Sequence, residues 1–112
     1  MVYDITLIRR FDANCFTVYT IYPNEDNGKG TPVIWTAHHE WYPNDCTLHD
    51  FIYKIETKAY IEEKYNSLEE VFEELLSNSK EYVKMYSNDE ELGAHAKELE
   101  IGECAMAFYL KH

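Results

Sequence analysis

A chain of 112 residues with 46 % hydrophobic side chains, 3 prolines and 4 glycines can bury one core without help from a metal or disulfide, which excludes a disordered segment. Its 21 acidic against 10 basic residues give a formal charge of −11, and that field repels phosphate backbones and anionic lipid. Direct nucleic-acid binding and peripheral membrane association are therefore the wrong classes to look in. The charge is uneven: residues 1 to 55 carry a net −3 and residues 56 to 112 a net −8.

No repeat divides the chain, and the expectation is a single globular domain over 1–112. No apolar run reaches the roughly 18 residues that a membrane helix requires. Cys15, Cys46 and Cys104 are odd in number and widely spaced, and Met1 opens the sequence without a basic-then-apolar segment. These features predict reduced thiols and a cytoplasmic setting.

In chain order, Met1 to Arg10 is rich in β-branched residues and reads as a first strand, with Phe11 to Asn14 as its turn. Cys15 to Tyr22 alternates cleanly, Phe16, Val18, Thr20 and Tyr22 against Cys15, Thr17, Tyr19 and Ile21, and completes an antiparallel hairpin. Pro23 to Thr31 concentrates breakers and reads as a loop. Pro32 to Glu40 is a third strand, with Val33, Trp35, Ala37 and His39 on one face and Ile34, Thr36, His38 and Glu40 on the other.

The segment from Thr47 to Tyr65 fits two periods, that of a helix and that of a strand alternating Phe51, Tyr53, Ile55, Thr57, Ala59 and Ile61 against Lys54, Glu56, Lys58 and Glu62. A T-x-x-D start at Thr47 and Asp50, with Leu48, Phe51, Ile52 and Ile55 on one face, favours a helix from Leu48 to Thr57 followed by extended chain. Ser67 and Glu70 then form an S-x-x-E capping box, and the apolar positions Leu68, Val71, Phe72, Leu75, Leu76, Tyr82, Val83 and Tyr86 predict one long helix over about 67–86. Asn88 or its neighbours cap a short helix through Lys97, with Gly93 as its weak point, and Glu100 to Leu110 returns to a strand with a bend at Gly102. The predicted fold is α+β: an antiparallel sheet of about four strands, with the long capped helix and one or two shorter helices packed on one face.

Candidate chemistry is sparse. Cys46-Thr47-Leu48-His49 has the C-x-x-H spacing of half a zinc site, but no second ligand pair follows, so neither a metal nor a cofactor is expected. His38 and Glu40 share a strand face and could pair as an imidazole and a carboxylate, whereas His38 and His39 point oppositely and cannot easily chelate together. A G-x-G-x-x-G, a phosphate-binding loop and a G-x-S-x-G are all absent, and Arg9 and Arg10 make no basic patch.

What remains is acid and aromatic surface. Glu62, Glu63, Glu69, Glu70, Glu73 and Glu74, followed by Asp89, Glu90 and Glu91, would project carboxylates at spacings not unlike strand phosphates, and 10 Tyr, 5 Phe and 2 Trp exceed what a plain core consumes. With Trp35 and Trp41 the glutamates from Glu62 to Glu74 are the expected partner-binding residues, and Tyr19 and Tyr22 are expected beside them on an open sheet face. The leading expectation is a non-catalytic interaction module that engages a basic, nucleic-acid-binding protein, in the manner of an anti-restriction or anti-CRISPR inhibitor from a phage. The alternatives are a small metal- or ligand-binding enzyme built on His38, His39, Glu40 and His49, and a homodimeric accessory domain.

Overall fold

In a computed structural model the chain is described over residues 2–24, 33–56, 63–77 and 80–111. Strands β1 (Val2–Asp12), β2 (Cys15–Asn24) and β3 (Val33–Trp41) form an antiparallel meander. Helix α1 (Leu48–Glu56), strand β4 (Glu63–Tyr65), helix α2 (Leu68–Leu76), strand β5 (Met85–Tyr86), helix α3 (Asp89–Ala96) and strand β6 (Cys104–Lys111) follow. The six strands make one sheet in the order β4-β3-β2-β1-β6-β5, antiparallel throughout except for the parallel β5–β6 pair at one edge. The fold is α+β as expected, with two short edge strands beyond the four anticipated.

The hairpin register shows why both sheet faces must be covered. Ile8, Val18 and Phe16 point to one face with Trp41, Ala105 and Ala107, and there they meet Leu48 and Ile52 of α1 and Leu92 and Ala96 of α3. Ile5, Leu7, Tyr19 and Ile21 point to the other face with Ile34 and Met106, where Val71 of α2 seals them. Strands apolar on both sides need a layer on each side. The expectation that all helices share one face is thereby corrected: α1 and α3 cover one side and α2 the other.

The long helix is also corrected. Helix α2 starts at the expected N-cap, Ser67, whose hydroxyl accepts from the Glu70 amide at 3.1 Å, and it ends at Leu76. Ser77 follows as the C-cap and donates its hydroxyl to the Glu74 carbonyl at 3.0 Å. Such local bonding lets short polar side chains compete with the helical ladder, and the sequence Ser77-Asn78-Ser79 supplies three of them in a row. Tyr82 and Val83 lie in irregular chain, exposed, and Tyr86 enters the sheet instead of a helix.

Other expectations match closely. Helix α1 is capped by Thr47, whose hydroxyl accepts from the Asp50 amide at 3.2 Å; the expected last residue, Thr57, lies outside the described residues, as does the 25–31 part of the predicted loop. Helix α3 is capped by Asn88, accepting from the Glu91 amide at 2.9 Å. Gly102 adopts φ +91° in the turn before β6, and its amide donates to the Arg10 carbonyl at 2.8 Å.

Candidate functional site

Two surfaces carry chemistry that the core does not use. The first is acidic and runs from the sheet edge onto α2. Glu69 and Glu73 are exposed on the side of the helix opposite the completely buried Val71, Glu74 is exposed nearer the sheet, and the last turn holds no base to offset them. Glu70 belongs to the cap: its carboxylate accepts from the Asn66 amide at 3.1 Å, one residue before the usual capping-box donor.

Strand β4 extends this surface. The Tyr65 hydroxyl donates to the Glu63 carboxylate, and Glu74 approaches the same phenol from α2, so two carboxylates from different elements converge on one hydroxyl. Burial of the ring, followed by those two carboxylates, holds the Tyr65 phenol well above its ordinary pKa of 10.0. Glu62, expected to join this array, lies outside the described residues. Among the described ion pairs, which are His49–Asp89, Lys80–Glu100 and His95–Glu98, none reaches the carboxylates of α2.

The two tryptophans part company. Trp35 is half-buried, with the Lys64 ammonium 5.9 Å from its ring centroid across the β3–β4 pair, and it keeps some surface. Trp41 is 1 % exposed, packs at 5.3 Å against Phe16 and donates its indole N–H to the Cys46 carbonyl at 3.0 Å. It is a core residue, as is Tyr19, and neither presents a surface to a partner.

The second surface is a cleft between α1 and α3, a cavity of about 440 Å³. This lies within the range of small-molecule pockets. Its inner wall is apolar, made by Trp41, Leu48 and Gly93. Asp50, Asp89 and Glu90 line it together with His49, whose Nδ1 lies 3.6 Å from the Asp89 carboxylate. Cys46, half-buried, and Lys97 complete the rim.

Lys97 and Pro43 are shared with a smaller adjoining hollow of about 240 Å³, which Arg10 also lines. The Arg10 guanidinium lies 5.3 Å over the Phe16 ring and donates to the carbonyls of Leu99, Lys97 and Ala13. A bidentate fork is well suited to gathering several carbonyls from separate turns.

The histidine constellation does not assemble. His38 and Glu40 do share a face, but it is the α2 face, where His38 packs at 5.9 Å from Tyr19 and Glu40 accepts from the Tyr42 hydroxyl at 3.0 Å. His39 and His49 lie on the α1 side, His39 edge-on to Phe51 at 6.4 Å. The sheet thus separates the four residues into two pairs. Among the described residues no group of three or more His, Cys, Asp or Glu is placed to hold a metal ion, and none of Cys15, Cys46 and Cys104 is in a disulfide.

Comparison with protein-family models, with curated proteins and with solved structures finds no match in any of the three. Any functional reading therefore rests on the geometry alone. No helix among the described residues is long and apolar enough to cross a membrane.

Sequence reasoning does not place Asp89, Lys97 or Arg10 at the cleft and its adjoining hollow, although Asp89 belongs to the expected acid array. Asp89 reads as a helix-start acid and Lys97 as a helix-end base, and nothing local says that α1 will lie beside them. The only advance signal is the C-x-x-H spacing of Cys46 and His49, both of which line the cleft.

Proposed function

We propose that this protein is a non-catalytic interaction module that presents the acidic face of α2 and β4 to a basic, nucleic-acid-binding protein. The observation that carries this reading is the pairing of a completely buried Val71 with an exposed, unoffset row of Glu69, Glu73 and Glu74 on the same nine-residue helix. Packing fixes the helix, so its carboxylates stand at set spacings with little further ordering on binding. Glu63, drawn beside Glu74 by Tyr65, lengthens the row onto the sheet edge.

The mechanism is electrostatic competition. Lysines and arginines that hold phosphates in the partner would meet carboxylates instead, with fast, salt-sensitive association. An inhibitor of a phage or mobile-element kind would work this way, by occupying the groove.

The test is retention of basic proteins from a host extract on the immobilised domain, at about 0.1 M salt and again near 1 M, where the Debye length falls from about 10 Å to about 3 Å. The variant to compare is Glu69→Lys with Glu73→Lys, which spares the capping Glu70 and the Tyr65-linked Glu74. Retention at low salt that is lost both at high salt and in the variant supports the reading. Retention by the variant, with unfolding transitions unchanged, refutes it.

A further inference from the structure

The cleft between α1 and α3 has a polarity that the acidic face does not explain. Asp89 and Glu90 open α3, and Lys97 is its C-cap. Eight residues at about 1.5 Å of rise per residue put the two ends of the cavity roughly 12 Å apart along the helix. At the first end the start of α1 contributes His49 and Asp50, with His49 held 3.6 Å from Asp89. At the second, the cavity meets the hollow that Arg10 and Lys97 line, so both local cations gather there.

Between the ends the wall is apolar. Trp41 and Leu48 are buried, and Gly93 contributes backbone with no side chain. A site with carboxylates at one end, cations at the other and an apolar strip between them matches a ligand of the same design, because each charge meets its opposite and the carbon chain leaves water.

We propose that this cleft binds a small zwitterion of the ω-amino acid class, its ammonium drawn to the end lined by Asp89, Asp50 and Glu90 and its carboxylate to Lys97, with Arg10 adding positive field behind it. The length fits. An extended six-carbon ω-amino acid spans roughly 8 Å at about 1.5 Å per bond, allowing for the bond angles. That length is of the same order as the roughly 12 Å rise from Asp89 to Lys97, and the reach of the two side chains closes the difference. Each charge of the ligand meets its opposite at one end of the cleft, so the two should act together. This inference is independent of the acidic-face reading, since neither Glu69 nor Glu73 lines the cleft.

The probe is 6-aminohexanoate, titrated into ¹⁵N-labelled protein and followed by amide shifts, with hexylamine and hexanoate as the half-charged controls. The expected result is saturable movement of the Gly93 and Ala94 amides, with the zwitterion at least tenfold tighter than either control. Asp89→Asn should weaken 6-aminohexanoate at least fivefold and leave hexanoate unchanged; Lys97→Gln should weaken it similarly and leave hexylamine unchanged. A melting transition measured on each variant separates lost binding from lost folding, and Glu90→Gln serves as a second acid-end variant if Asp89→Asn is unstable. Equal affinity for the zwitterion and a control, shifts that never saturate, or shifts confined to residues outside the cleft would each overturn the proposal.

Discussion

A Cβ built on Gly93 of α3 would lie 3.0 Å from the Cβ of Leu48 in α1, tighter than most side-chain contacts and short by a few tenths of an ångström. The opposing atom is the first of its side chain and cannot swing aside, so α1 itself would have to move. Helix propensity alone favours alanine over glycine by about 1 kcal/mol. Overpacking a well-filled contact costs about 1–3 kcal/mol. Gly93→Ala should therefore lower stability by about 1 kcal/mol net, measured as a reduced urea midpoint at unchanged slope. A rise in stability would mean that the helices part easily.

Arg10 ties two separate turns together, the β1–β2 turn through the Ala13 carbonyl and the turn after α3 through the carbonyls of Lys97 and Leu99. An ammonium cannot reproduce that fork. Arg10→Lys should cost about 1–3 kcal/mol, since each carbonyl that loses a charged donor forfeits a bond of that order. Gly102 sits in the same corner at φ +91°, with the nearest atom to a built Cβ 3.7 Å away. Gly102→Ala meets no clash, so its expected loss of about 1–2 kcal/mol is conformational. Both losses are read from denaturant unfolding.

Much of the framework was legible because local rules and tertiary packing agreed. The two-residue alternation of Cys15 to Tyr22, the Thr47, Ser67 and Asn88 caps and the Gly102 bend each have a short-range physical cause. The end of α2 departs from the expected long helix although the sequence carries its signal: after Leu76 the next apolar position is Tyr82, a gap longer than one helical turn. The β2 alternation likewise shows apolar residues on both faces, Phe16 and Val18 against Tyr19 and Ile21, which argues for two helical layers and not one. Strand β5, two residues long and parallel, has no local signature at all. The cleft was half legible, since Cys46 and His49 stand out by spacing, but Asp89 and Lys97 reach them only through the packing of α3 beside α1.

The Ser67 cap gives a direct measure of how much local chemistry holds α2. Its hydroxyl accepts from the Glu70 amide, and the Glu70 carboxylate accepts from the Asn66 amide. Ser67→Ala should destabilise the protein by about 1 kcal/mol, and Ser67→Asp by much less, because aspartate also caps and favours the helix N-terminus. Equal losses for the two would show that packing of Val71, and not the cap, decides where α2 begins.

Tyr65 and Tyr86 both bury their hydroxyls but differ in what they meet. Tyr65 donates to Glu63 and is approached by Glu74, whereas among the described residues the Tyr86 hydroxyl finds no partner. Tyr65→Phe should lower stability by about 1.5–3 kcal/mol, the worth of a hydrogen bond to a charged group, while Tyr86→Phe should be neutral or stabilising by up to about 1 kcal/mol. Both phenols are raised above 10.0, Tyr65 by burial and its carboxylates, Tyr86 by burial and then its charged and phenolic neighbours. Exposed Tyr42 is pushed up to about 12, chiefly by its bond to Glu40. The sign follows: an unfolded chain loses these protons near pH 10, and the folded chain holds them longer. The stability they confer is complete below pH 10 and is lost as the pH rises from there through their folded values. A spectrophotometric titration near 295 nm should show a late-ionising group that Tyr65→Phe removes; a titration complete by about pH 10.5 would contradict the buried pairing of Tyr65 with Glu63.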